Sequence, residues 1–156
     1  MRRSLLIGLC LFSSAALADA PTQAIQPSAS QNQIYRALSV RDPVPTCETV
    51  EAMSTTPVAD LLFVVENAQQ PPWTAMRAAQ CLVRRHAEVA QPQIESWVTH
   101  EATRGLALMT FGLLDTMPQT VAIPVAKQAL QGPLAAEAQP RLLRSEVPEI
   151  RALAQP

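Results

Sequence analysis

The fold turns on the reading of one stretch, PPWTAMRAAQCLVRRH, Pro71 to His86. Two prolines open it, and no glycine or further proline interrupts it. At about 100° per residue, Ala75, Ala78, Ala79, Leu82, Val83 and His86 share one face of a helix. Arg77, Gln80 and Arg84 fall on the opposite face, with Cys81 at the seam. Alanines on the inward face let a neighbouring helix approach closely. Cys81, at the edge of that face, is placed to reach an adjacent element.

Outward from this helix the chain reads as helix after helix. It has only four glycines, few aromatics and almost no period-two alternation, which excludes a sheet as the organising element. On the N-terminal side, Gln31–Val40 is a short helix, and RDPVPT then breaks the chain because residues before proline leave helical geometry. Thr55-Thr56-Pro57 opens the next helix with a capping residue and a first-turn proline. Its Val58, Leu61, Leu62 and Val65 point one way, with Asp60 and Asn67 opposite. On the C-terminal side follow AQPQIESWVTH and TRGLALMTFGLLDTMP. The second is apolar nearly all round and predicts a central buried helix, with Gly105 and Gly112 at close helix contacts. Pro124 then lies inside a helical pattern, implying a kink or a late start, and Gly132 is a natural stop. PLAAEAQPRLLRS and VPEIRALAQ complete an all-α chain.

The ends bear on location. Residues 1–18, MRRSLLIGLCLFSSAALA, combine Arg2 and Arg3, a short apolar run and a small-x-small cleavage pattern, the anatomy of a secretory signal peptide. The apolar run is too short for a membrane span. Residues 19–30 read as a flexible Pro-, Ser- and Gln-rich leader, and residues 31–156 as a single helical domain. Loss of Arg2 and Arg3 leaves 10 basic against 13 acidic residues, a net charge of −3. That balance argues against nucleic acid as a partner. Lys127 is the sole lysine, and the Ala- and Arg-rich usage suits a bacterial chain, so the expected location is periplasmic or secreted. In such an oxidising compartment Cys47 and Cys81 are expected to form a structural disulfide; no C-x-x-C spacing supports a redox or metal pair.

A repeat emerges when TAMRAAQCLVRR, EATRGLALMTFGLL and PLAAEAQPRLLR are aligned. Each follows another helix, and the pairs recur near every thirty residues, the period of a helical solenoid. Over roughly Thr56–Ser145 the pattern resembles HEAT-like repeats of the bacterial kind, in which a turn leads into a second helix opening on an Arg and an Ala-rich run. QQPPWTAMRAAQCL matches best. THEATRGLALMTFGLL keeps Arg104 but lacks the proline, and the third unit has Glu137 and no Arg at that place. Pro92 and Pro124 occupy first helices, where such repeats accept a bend. The resemblance implies a short α-solenoid of helix pairs; an irregular helical bundle gives nearly the same string.

Chemistry has little to stand on. There is no H-E-x-x-H, no Cys/His cluster, no G-x-S-x-G and no glycine-rich phosphate loop. No catalytic, metal or cofactor residue is therefore assigned, and no cofactor is expected. Glu48, Glu51, Asp60 and Glu66 read as charges on solvated faces. The resemblance implies a non-catalytic module presenting a groove or helix face to a protein partner, with Trp73, Arg77, Arg84 and Arg104 as the contact residues. The Arg77–Arg84 patch suits an acidic partner segment. The competing expectation is a small-ligand binder or enzyme whose dispersed site joins Glu66, His86 and His100, and an exported inhibitor or immunity protein is a third.

Overall fold

In a computed structural model of the chain, residues 26–155 are described. The expected signal peptide, and the leader up to residue 25, lie outside them. The described residues form nine α-helices and two short 3₁₀ turns, with no strand among them. The helices are α1 (Ala29–Ser39), α2 (Cys47–Glu51), α3 (Pro57–Asn67), α4 (Trp73–Arg85), α5 (Ala87–Thr99), α6 (Arg104–Phe111), α7 (Gln119–Gln131), α8 (Ala135–Leu142) and α9 (Pro148–Ala154). None is long and apolar enough to cross a membrane.

The helix starts keep a period. α4, α6 and α8 begin at residues 73, 104 and 135, 31 residues apart each time. α3, α5, α7 and α9 begin at 57, 87, 119 and 148, spacings of 30, 32 and 29. Packing follows the same arithmetic. Each of α3, α5 and α7 pairs with the helix after it, while α4 packs on α6, α6 on α8, α5 on α7 and α7 on α9. The result is an all-α packing of helices joined by short turns, an arrangement consistent with a short solenoid or a helical bundle.

Alanine allows the helices to pack closely. Ala78, Ala79, Ala107, Ala122, Ala126, Ala129 and Ala138 are fully buried at helix contacts, with Leu61, Leu82, Ile94, Trp97, Val121 and Leu142 filling the space between them. Trp97 is the largest of these side chains and sits at the centre of the core. Three helices carry an internal proline, Pro92 in α5, Pro124 in α7 and Pro140 in α8, each the sixth residue of its helix. Each proline lacks the N–H that would have bonded back one turn, so each helix forgoes one ladder bond at the same register. For α7 this settles the choice between kink and late start: the helix begins five residues before Pro124.

Several local expectations are corrected. α1 starts at Ala29 rather than Gln31, because Ser28 caps it in a reciprocal box with Gln31. Thr56 makes no side-chain cap for α3; Ser54 Oγ instead accepts from the Thr56 N–H at 2.8 Å. The apolar run after Thr103 is not one buried helix, since α6 ends at Phe111 and a 3₁₀ turn follows at Leu114–Thr116. Gly105 and Gly112 are exposed, and a Cβ on Gly105 would touch nothing within 4 Å, so neither marks a tight helix contact. Gly132 does: a Cβ there would lie 3.1 Å from the Val98 carbonyl, where the end of α7 meets the end of α5.

Asp60 is the largest departure. Instead of facing solvent it is buried, accepting from Ser30 Oγ and Ser54 Oγ at 2.6 Å each and from Gln31 Nε2 at 3.0 Å. The carboxylate thus joins the first turns of α1 and α3, where both helix dipoles favour negative charge. Burial pushes its carboxyl upward, but the bonds from Ser30, Ser54 and Gln31 together outweigh it and hold the group below the ordinary range. A related device recurs at the other end of the array. Ser145 is buried, donates to Asp115 and accepts from the Val147 N–H at 3.1 Å, while Glu146 N–H donates to the same Asp115 at 2.9 Å. Both turns read Ser-x-x-Pro, Ser54–Pro57 and Ser145–Pro148, and each proline opens the next helix.

Candidate functional site: the groove beside the disulfide

The outward face of α4 and the segment joining α1 to α2 form an open groove of about 520 Å³. Its floor is the Cys47–Cys81 disulfide, which links the first residue of α2 to the middle of α4 with the Cα atoms 5.3 Å apart. The sequence expectation for these two cysteines holds. Cys81 is buried and Cys47 half-buried, so the bridge lines the groove and also ties the fold together.

Arg77 and Trp73 stand where α1 ends. Arg77 Nη1 donates to the Leu38 carbonyl at 2.9 Å and to that of Val40, and Nη2 reaches Arg41 O at 3.4 Å. These carbonyls belong to the last turn of α1 and the segment beyond it, where no backbone donor follows, so Arg77 serves as the side-chain cap of that helix. Trp73 Nε1 donates to Ser39 O at 3.3 Å, and the Arg77 guanidinium lies 5.8 Å from the Trp73 ring centroid. Their polar atoms are therefore engaged within the fold. What they offer outward is the guanidinium charge and the partly exposed indole, which stands with exposed Val40 and Val44.

At the far end of α4 the paired arginines divide. Arg85 binds Glu51 through Nε, at 2.9 and 3.0 Å to its two oxygens, and also pairs with Glu48. Hydrogen bonding from Glu51 is the main cause of the firmer protonation of Arg85. The Glu48 carboxyl is held low, first by its own backbone N–H at the start of α2, then by Thr46 and Arg85. Arg84 is exposed and has no ion-pair or hydrogen-bond partner among the described residues. It lines this groove and also a smaller depression of about 220 Å³ beside exposed Val89 and Pro118.

Of the four contact residues expected from sequence, Trp73, Arg77 and Arg84 lie along one face of α4. Arg104 does not join them: it opens α6 and pairs with Glu137 of α8 at 2.9 Å, bridging successive second helices. Glu66, His86 and His100 are not brought together. His86 and His100 bracket α5, so about 21 Å of helix separates their backbones. Glu66 lies near the end of α3 that leads into the start of α4, remote from His86 at the other end of α4. His86 Nε2 is 3.0 Å from Glu51 Oε1 but is not aligned for a hydrogen bond, and it is buried without a partner. Sequence reasoning missed the Arg85–Glu48–Glu51 cluster, although the spacing of Glu48 and Glu51 three residues apart was a readable signal. No cluster of His, Cys, Asp or Glu suited to a metal occurs among the described residues.

Set against protein-family models, curated proteins and solved structures, the chain matches none.

Proposed function

We propose that this is an exported, non-catalytic helical-repeat protein of HEAT-like build. In this reading it binds a protein partner through the α4 face, and the contacting segment of the partner is acidic. The observation that carries the reading is Arg84, an exposed cation without an internal partner on the rim of a groove. Arg77 adds a second charge along the same face, and Trp73, Val40 and Val44 supply exposed apolar surface beside it. A planar guanidinium next to an aromatic ring suits a carboxylate flanked by apolar side chains. The helix spacing of about thirty residues supports the repeat assignment. The bridge between Cys47 and Cys81 supports an oxidising compartment outside the cytoplasm.

The test is site-specific photo-crosslinking from Gln80, which lines the groove, in the intact native envelope. A discrete protein adduct is expected. It should disappear with Arg84→Glu and persist with Arg144→Glu, an exposed arginine at the end of α8. An adduct equally strong in Arg84→Glu, or no adduct from Gln80 at all, overturns the reading.

A further inference from the structure

A second groove, which shares no lining residue with the first, has a different chemistry. It holds about 540 Å³ between α1 and the C-terminal half of α3, within the range of small-molecule sites. Among the described residues, no charged side chain lines it. Two half-buried aromatic rings, Tyr35 from α1 and Phe63 from α3, face it among carboxamides. The Tyr35 hydroxyl donates to the Gln70 carbonyl, fastening the chain after α3 across the groove.

The remaining hydrogen-bonding capacity can be counted. Asn32 Nδ2 donates to the Pro27 and Ser28 carbonyls at 3.2 and 3.0 Å, which leaves its Oδ1 free to accept. Asn67 Nδ2 donates to Phe63 O at 2.8 Å, leaving Oδ1 and one N–H. The side chains of Gln69 and Gln70 make no hydrogen bond among the described residues, so each offers a donor and an acceptor side by side. The free groups are therefore four carboxamide oxygens that accept and five N–H groups that donate, the donors all on Asn67, Gln69 and Gln70 at one rim. Adjacent hydroxyls, each able to donate and to accept, match that set. The faces of Tyr35 and Phe63 match the C–H face of a sugar ring. The uncharged carboxamides among the described lining residues suit a neutral ligand. A peptide strand is less well served, because the lining residues of α1 and α3 hold their backbone groups within their helices and only the short segment Ala68–Gln70 is left to pair with one.

From this donor set we infer that the α1–α3 groove is a binding site for a neutral oligosaccharide. The site is separate from the Arg84 groove and does not depend on a protein partner. The test is a titration of the full mature chain, isotopically labelled, with maltotriose and with N,N′,N″-triacetylchitotriose, read from the Asn and Gln side-chain amide resonances. Saturable shifts at Asn32, Asn67, Gln69 and Gln70 are expected with at least one of the two sugars. Binding should weaken at least about tenfold in the double variant Asn67→Ala/Gln69→Ala, as two lost hydrogen bonds require. It should persist in Gln33→Ala, an exposed change on α1 outside the groove. Absence of a saturable shift with either sugar up to about 10 mM overturns the inference. So does unchanged affinity in the double variant, or saturation by an uncharged tetra-alanine peptide where both sugars fail.

Discussion

Replacing Asp60 by Asn tests the least expected part of the fold. The substitution keeps the side-chain volume but removes the charge and replaces one acceptor oxygen with a donor. That donor would face hydroxyls at 2.6 Å which now donate to the carboxylate. A hydrogen bond to a charged group contributes about 1.5–3 kcal/mol, but three bonds sharing one carboxylate do not add fully. A loss of about 3 kcal/mol is expected, or about 10 °C in Tm for a domain of this size. Urea unfolding followed by far-UV circular dichroism would measure it, and the unfolding slope should not change. The pH dependence has a definite sign. The folded carboxyl lies below its unfolded value of about 3.9, so its contribution is complete above that pH and is lost as pH falls through the folded value. The stability gap between wild type and Asp60→Asn should thus be flat from neutral pH to about pH 5 and narrow in more acid solution. A loss under about 1 kcal/mol, or a gap that widens with acid, would refute the buried carboxylate network.

Reduction of the Cys47–Cys81 bridge, or the double change to Ala, should leave helix content intact while lowering stability by about 4 kcal/mol in the chain-entropy account of a 34-residue separation; urea titrations with and without reductant check it. The exposed Gly105→Ala change should stabilise by about 0.5 kcal/mol, since the added methyl meets nothing and helix propensity improves. Gly132→Ala should destabilise by about 1–2 kcal/mol, because its methyl presses on the Val98 and Gln128 carbonyls; equal melting temperatures for the two variants would contradict this. Ser145→Ala should cost about 1–2 kcal/mol through the orphaned Val147 N–H and the lost bond to Asp115, measured by thermal unfolding.

The all-α class, the thirty-residue recurrence and the cysteine pairing were legible because each is written in spacing. Alanine and leucine on one face of the stretch from Trp73 mark α4, and the same offsets return at 104 and 135. Three things were hidden. Asp60 looks like a solvated acid in its own helix, and only the fold brings Ser30 and Ser54 from both sides of it. Arg77 looks like a free surface cation, yet it answers carbonyls some forty residues earlier in the chain. The run after Thr103 is apolar enough for one long helix, but α6 ends at Phe111, where the N–H groups of Gly112 and Leu113 turn to the Met109 and Thr110 carbonyls. For Asp60 and Arg77 the deciding partner is distant in sequence, and helical periodicity carries no information about it. The groove between α1 and α3 was equally unreadable, because its amides are ordinary surface residues until two helices converge.

The disulfide has a mechanical meaning as well. It closes the chain across α3 and the first part of α4, while α5 to α9 carry no covalent cross-link among the described residues. Under tension applied at the two ends, the loop between Cys47 and Cys81, a separation of 34 residues, cannot lengthen the tether. About 110–120 Å of extended chain is withheld in this way. The chain beyond Cys81 carries no such limit among the described residues, so α5 to α9 are the part that a pull from the C-terminal end can lengthen. Arg77 and Gln80 lie inside the closed loop, whereas Arg84, three residues beyond Cys81, lies on the side of the bridge that bears the load.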